Sequence, residues 1–143
     1  MQSNIVYLLA PFVAWLIAQT VKIVLNASLK QKHGFSKYFM SGDMPSAHTA
    51  TVVALTTVIF VHEGPSSLFA VVACFAAITV YDSLVARRSI GEQGAALLRL
   101  IETSPFAKDP LPRVALGHKP LEVVVGGLIG VLVGVGMALG IAA

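Results

Sequence analysis

The chain carries little charge for its size. Only 12% of its 143 residues are Asp, Glu, Lys or Arg, whereas hydrophobic residues make up 56%. Soluble domains carry roughly 25% charged residues, and a chain with half that share would expose large apolar patches to water. Intrinsic disorder is also excluded, because so apolar a chain gains from burying its surface. The composition therefore predicts an integral membrane protein.

Cysteine is nearly absent, since Cys74 is the single one in the sequence. A disulfide within the chain and a cysteine-based metal cluster are therefore excluded. No Lys or Arg precedes Lys22, so the basic start of a secretory signal peptide is missing. We expect the first apolar segment to remain in the protein.

Four apolar stretches are long enough, or nearly so, to cross a bilayer as helices. They cover residues 5–25, 46–61, 65–86 and 120–141. Residues 88–102 place Ile90, Leu97 and Ile101 on one helical face, which predicts an amphipathic helix lying on the membrane surface. The predicted fold is all-α: a polytopic membrane bundle of about four transmembrane helices plus this interfacial helix, in a single domain over residues 1–143.

The last apolar stretch repeats a small residue every four positions, at Gly126, Gly130 and Gly134. This spacing predicts a smooth helix face that another helix can approach closely. Four spans are few to wall a pocket, so a homodimer formed through this stripe is an open alternative.

Positive charge is concentrated on one side of the predicted topology. All ten Lys and Arg residues fall at the end of the first span or in the first and third connections. The positive-inside rule places that side in the cytoplasm, although an anion site there would concentrate positive charge as well. We expect an integral protein of a bacterial inner membrane, or of an equivalent organelle membrane. Its expected partners include membrane lipids, and no nucleic acid partner is predicted.

The same topology gathers polar residues at the basic face, where such residues are costly and usually functional. They stand at the starts of the second and fourth spans and at the ends of the first and third. The residues concerned are Ser46, Ala47, His48, His118 and Glu122 at the starts, and Gln19, Lys22, Asp82, Arg87 and Arg88 at the ends.

This set of residue types suits phosphate chemistry. Backbone N–H groups of Ser46 and Ala47 at a helix start attract phosphate, and Lys and Arg side chains add positive charge. His48 and His118 supply a nucleophile and a general acid. Glu122 lies one helical turn after His118, so its carboxylate can fix the imidazole tautomer and leave the other ring nitrogen free to attack. The constellation predicts phosphoryl transfer through a phosphohistidine, without a metal or other cofactor.

The alternatives use the same pocket differently. A metal site would draw on His48, His118, Asp82 and Glu122, but the surrounding cations oppose it. A non-catalytic binder or carrier of lipid phosphate or another anion would need the charges of the site and not a nucleophile.

Three segments resemble the divergent branch of the type 2 phosphatidic acid phosphatase family, which is related to lipid phosphate phosphatases and vanadium haloperoxidases. They read GDMPSAH, YDSLVARRSIGEQ and LGHKPLEVVVGGLIG, and the similarity runs from Gln19 to about Gly130. The resemblance implies a membrane phosphatase acting on a lipid phosphate or prenyl diphosphate. PSAH resembles the superfamily's Pro-Ser-Gly-His motif, and His118 to Glu122 resembles its His-x3-Asp.

The resemblance also implies roles for individual residues. His118 would be the nucleophile, Glu122 its orienting carboxylate and His48 the proton donor to the leaving oxygen. Ser46 and the Ala47 amide would hold phosphate oxygens, and Lys22 would match the lysine of the first motif. The phosphate-binding arginine would be Arg87 or Arg88, with Arg113 as a rival because it lies five residues before His118. Gln19 and Asp82 would support the site, Asp82 as a partner of an arginine.

Overall fold

The computed structural model describes residues 2–28, 44–104 and 117–141. Within these ranges the chain is helical, in segments that we number in chain order. They are α1 (Gln2–Ser28), α2 (Ala47–Glu63), α3 (Ser67–Tyr81), a π-helical turn (Asp82–Ala86), α4 (Arg87–Glu102) and α5 (Pro120–Ile141). The described residues form no β-strand, so the all-α prediction is confirmed.

Three helical runs are long and apolar enough to span a membrane: Ile5–Ser28, Ser67–Glu102 and Pro120–Gly140. The fourth apolar helix, α2, is shorter at 17 residues, which corresponds to a length of about 25 Å. The four apolar helices agree with the predicted membrane bundle.

The core lies where α1, α2 and α5 meet, and each helix offers small residues at four-residue spacing. Ala10, Ala14 and Ala18 of α1 are fully buried, as are Ala50 and Ala54 of α2. On α5 the glycine stripe faces α2, so that a Cβ built on Gly130 would lie 2.7 Å from the Ala50 carbonyl oxygen. The stripe is therefore used for packing within the chain, as its spacing predicts. It is not available as the homodimer interface considered above.

A tight turn joins α2 to α3 and makes them antiparallel neighbours. Gly64 ends α2 with a positive φ of 66°, and its N–H donates to the Phe60 carbonyl. Ser66 then caps α3, its hydroxyl accepting from the Phe69 N–H at 3.1 Å. Because α3 packs mainly on α2, much of its apolar surface is left exposed, including Val71 and Phe75.

The structure joins the third predicted span to the amphipathic helix. We expected a span ending at residue 86 and a separate helix over 88–102, but α3 runs through the π-helical turn into α4 without a break. The helix over 87–102 is present, and Ile90 and Leu97 on it are 66% and 58% exposed. Its position on a membrane surface stays a prediction.

Candidate functional site at the α2 and α5 starts

A backbone hydrogen bond joins the starts of α2 and α5. The Ser46 backbone N–H donates to the Glu122 carbonyl oxygen at 2.9 Å. One turn further along α5, Gly126 lies against the Ser46 backbone so closely that a Cβ there would collide with the Ser46 carbonyl oxygen. The two segments that carry the predicted catalytic residues therefore share one end of the bundle.

His118 and Glu122 form a close pair at the start of α5. His118 Nδ1 lies 2.9 Å from Glu122 Oε2, and the side chains are 2% and 13% exposed. The same carboxylate oxygen accepts the Lys119 N–H at 3.1 Å, as in one half of a helix capping box. Because the cap holds the carboxylate in place, it also sets the direction from which the carboxylate meets the imidazole.

A second anchor for His118 comes from the π-helical turn. The His118 N–H donates to the Ser83 carbonyl oxygen at 3.2 Å, and Ser83 is buried. Gly117 lies against the backbone of Arg87 and Arg88, which follow the π-helical turn. A Cβ added at Gly117 would be 2.8 Å from the Arg88 Cα. Sequence reasoning missed Ser83 and Gly117. The Gly-His pair in LGHKP is the one signal that could have drawn attention to Gly117.

His48 lies in the electrostatic field of the predicted site. The charges of Arg87, Lys22 and Asp82 and the His118 ring all act on it. His48 itself is exposed, whereas Lys22 is only 4% exposed. The structure therefore brings both histidines and two of the predicted phosphate-binding cations to the same end of the bundle.

The two neighbouring arginines differ in their partners. Arg87 Nε donates to Asp82 Oδ2 at 2.7 Å, with both side chains close to half exposed. Arg88 Nε instead donates to Glu92 Oε1 at 3.0 Å, and its side chain is 54% exposed. Asp82 is thus the partner of Arg87, and the charge of Arg87 acts on His48. The rival, Arg113, lies outside the described residues.

The structure corrects one expectation about Ser46. We expected its backbone N–H to be free for phosphate, but the Glu122 carbonyl takes it. The Ser46 hydroxyl caps α2, accepting from the Thr49 N–H at 3.4 Å and from the Thr49 hydroxyl at 3.0 Å. Both Ser46 and the adjacent Ala47 are buried, at 0% and 5% exposure. The cause is the close approach of α5, which places a backbone acceptor against the start of α2.

Gln19 is the remaining predicted site residue within the described ranges. Gln19 lies one turn before Lys22 on α1, and its side-chain oxygen is buried with no hydrogen-bond donor among the described residues.

For the metal alternative, no group of three or more His, Cys, Asp or Glu side chains within the described ranges could hold a metal ion. The four candidate ligands therefore do not converge.

Residues 3–133 match the divergent PAP2 family. The chain belongs to the divergent PAP2 family. The chain is also similar to the uncharacterized membrane protein YuiD of Bacillus subtilis (strain 168), with 39% identity over 87% of this chain and 89% of that protein. No solved structure matches the chain.

Proposed function

We propose that this divergent PAP2 protein is a membrane phosphatase that hydrolyses a lipid phosphate or a prenyl diphosphate through a phosphohistidine. The observation that carries the proposal is the pairing of His118 Nδ1 with Glu122 Oε2 at 2.9 Å, next to a second histidine in a cationic environment. A carboxylate on Nδ1 stabilises the tautomer whose lone pair is on Nε2. His118 is thereby oriented as a nucleophile.

The proposed reaction has two steps. His118 Nε2 attacks phosphorus and forms a P–N bond while the bond to the leaving oxygen breaks, and protonated His48 gives its proton to that oxygen. Water then attacks the phosphorylated imidazole, neutral His48 takes the water proton, and the P–N bond breaks to release inorganic phosphate. Lys22 and Arg87 stabilise the charge that builds up on the phosphoryl oxygens.

Charge at the two ends of the bundle supports a site on the cytoplasmic face. Lys22, Arg87 and Lys119 lie at or near the His118 end, and the opposite end carries Glu63 and His62 in the α2–α3 turn region. The positive-inside rule assigns the basic end to the cytoplasm. A site at that level meets lipid headgroups, which is why we propose an amphiphilic phosphate as the substrate.

The test is phosphate release by the purified full chain in detergent micelles and liposomes. The panel comprises prenyl diphosphate, phosphatidate and phosphatidylglycerophosphate. His118→Ala should lower the rate about a thousandfold or more, as expected for loss of a nucleophile. His48→Ala should cost about a hundredfold or more, as expected for a general acid. His62→Ala at the far end of α2 is the matched control and should retain the rate.

Trapping the phosphohistidine intermediate gives a second test that does not depend on steady-state turnover. Substrate with radioactive phosphorus should label the wild-type chain in an acid-labile, base-stable form, and His118→Ala should remain unlabelled. If the chain binds phosphate analogues but releases no phosphate from any substrate, and His118→Ala binds equally well, the chain is a binder or carrier and the phosphatase proposal is wrong.

A further inference from the structure

An apolar groove runs between α2 and α3, away from the residues assigned to catalysis. Its volume is about 330 Å³, which is within the usual range for ligand pockets. Seven side chains from the two helices line it: Val53, Thr56, Thr57, Phe60, Phe69, Ala73 and Ala76. The hydroxyls of Thr56 and Thr57 donate to carbonyls of their own helix at 2.7 and 2.8 Å. The groove therefore offers a ligand hydrocarbon contacts and few hydrogen bonds.

The groove lies beneath the proposed phosphatase site, and its two helices lead to two residues of that site, His48 near the start of α2 and Asp82 directly after α3. Val53 follows His48 by five residues on α2, and Ala76 precedes Asp82 by six residues. At 1.5 Å per residue, the near end of the groove is about 8 Å below the site and Phe60 is about 18 Å below it. The cations Lys22 and Arg87, whose charges act on His48, therefore lie near one end of the apolar groove.

We infer that the groove binds the hydrocarbon chain of the substrate while the phosphate is held at His48 and His118. The inference rests on the proposed function, because it names the substrate as an amphiphile whose chain is recognised along with its head. A cationic end above an apolar groove complements a phosphate group attached to a long chain. Ala73, which is half-buried, and Ala76, which is 8% exposed, leave the α3 wall of the groove open. Ala73 and Ala76 thereby determine which hydrocarbon chains the groove accepts.

Narrowing the groove should affect long-chain substrates alone. Ala73→Phe places an aromatic ring in the groove, while Ala77→Phe makes the same change at an exposed position that does not line it. Ala73→Phe should lower kcat/KM about tenfold for dioleoyl phosphatidate, the loss expected when about two CH₂ groups leave an apolar site. Ala73→Phe should leave kcat/KM for dihexanoyl phosphatidate unchanged. Ala77→Phe should have the wild-type kcat/KM for both substrates. An equal loss on both substrates, or no loss on either, would overturn the inference.

A binding measurement separates this inference from the phosphatase proposal. The His118→Ala chain in liposomes is irradiated with a phosphatidate that carries a photoreactive group at the end of its chain, and labelled residues are located by mass spectrometry. Label should fall on residues 53–60 and 69–76, and excess phosphatidate should remove it while excess phosphatidylcholine should not. Label that both lipids remove equally would show a bulk bilayer lipid in the groove and sink the inference. Specific label without phosphate release by the wild type would uphold the chain site and refute the phosphatase.

Discussion

A methyl group added at Gly126 should disturb both the bundle and the proposed site. A Cβ at this position would collide with the Ser46 carbonyl oxygen and would lie 3.2 Å from the Ser46 carbonyl carbon and Cβ. Most of these atoms are backbone at a helix start, so no side-chain rotation relieves the contact. In Gly126→Ala, α2 and α5 must move apart at the point where the Ser46 N–H meets the Glu122 carbonyl.

The magnitude of the destabilisation follows from three effects. Overpacking a well-packed contact costs about 1–3 kcal/mol. Separation of the helices also weakens the Ser46 to Glu122 hydrogen bond at a fully buried residue, and an unsatisfied buried donor costs about 1–3 kcal/mol. The gain in helix propensity from Gly to Ala returns up to about 1 kcal/mol. We expect Gly126→Ala to lose about 3 kcal/mol of unfolding free energy.

The assay is reversible unfolding of the full chain in mixed detergent micelles, with phosphate release measured on the same preparations. Gly136→Ala is the matched control, because nothing lies within 4 Å of a Cβ at that position of the same helix. It should keep the wild-type stability or exceed it by up to about 1 kcal/mol. If Gly126→Ala and Gly136→Ala unfolded at the same denaturant concentration, the close approach of α2 and α5 described above would be wrong.

Four further substitutions, of which Arg88→Gln is a control, test how the site is held. Gly117→Ala should lower phosphate release about tenfold or more, because the added Cβ meets the Arg88 backbone and shifts His118 out of its reactive geometry; wild-type activity would contradict this. Arg87→Gln should raise the KM for lipid phosphate about tenfold, the value of one charge-assisted hydrogen bond, whereas Arg88→Gln should change it little; equal KM values would refute the distinction. Glu122→Gln should slow formation of the trapped phosphoenzyme about a hundredfold or more, since an amide lacks the negative charge that stabilises the imidazole as it becomes positive on attack; rapid labelling in a quenched-flow experiment would count against the pair.

Much of the architecture could be predicted from local features of the sequence. Apolar length alone indicated four helices, and the four-residue spacing of Gly126, Gly130 and Gly134 indicated a close helix contact. The i, i+4 spacing of His118 and Glu122 predicted that their side chains could meet, and they do so at 2.9 Å. These features depend on helix geometry, which a sequence fixes once its segments are known to be helical.

The difference between the partners of Arg87 and Arg88 could not be predicted in this way. It depends on the π-helical turn at Asp82–Ala86, where the Arg87 N–H donates to the Asp82 carbonyl five residues earlier. The wider turn changes the direction in which each following side chain leaves the helix. Residues 82–86 carry no proline or glycine that would mark such a turn. The prediction of a free N–H at Ser46 was wrong for a similar reason. Its acceptor, the Glu122 carbonyl oxygen, lies 76 residues away in the chain.

Glu122 connects the stability of the bundle to the proposed chemistry. Its carboxylate caps α5 through the Lys119 N–H and pairs with His118, while its carbonyl receives the Ser46 N–H of α2. A displacement of the α5 start therefore moves the proposed nucleophile and the α2 start together. The contacts that dock the two helices therefore also orient the imidazole of the proposed nucleophile. It follows that substitutions at this docking point should change activity and stability together, whereas Ala73→Phe in the α2–α3 groove should change substrate preference alone.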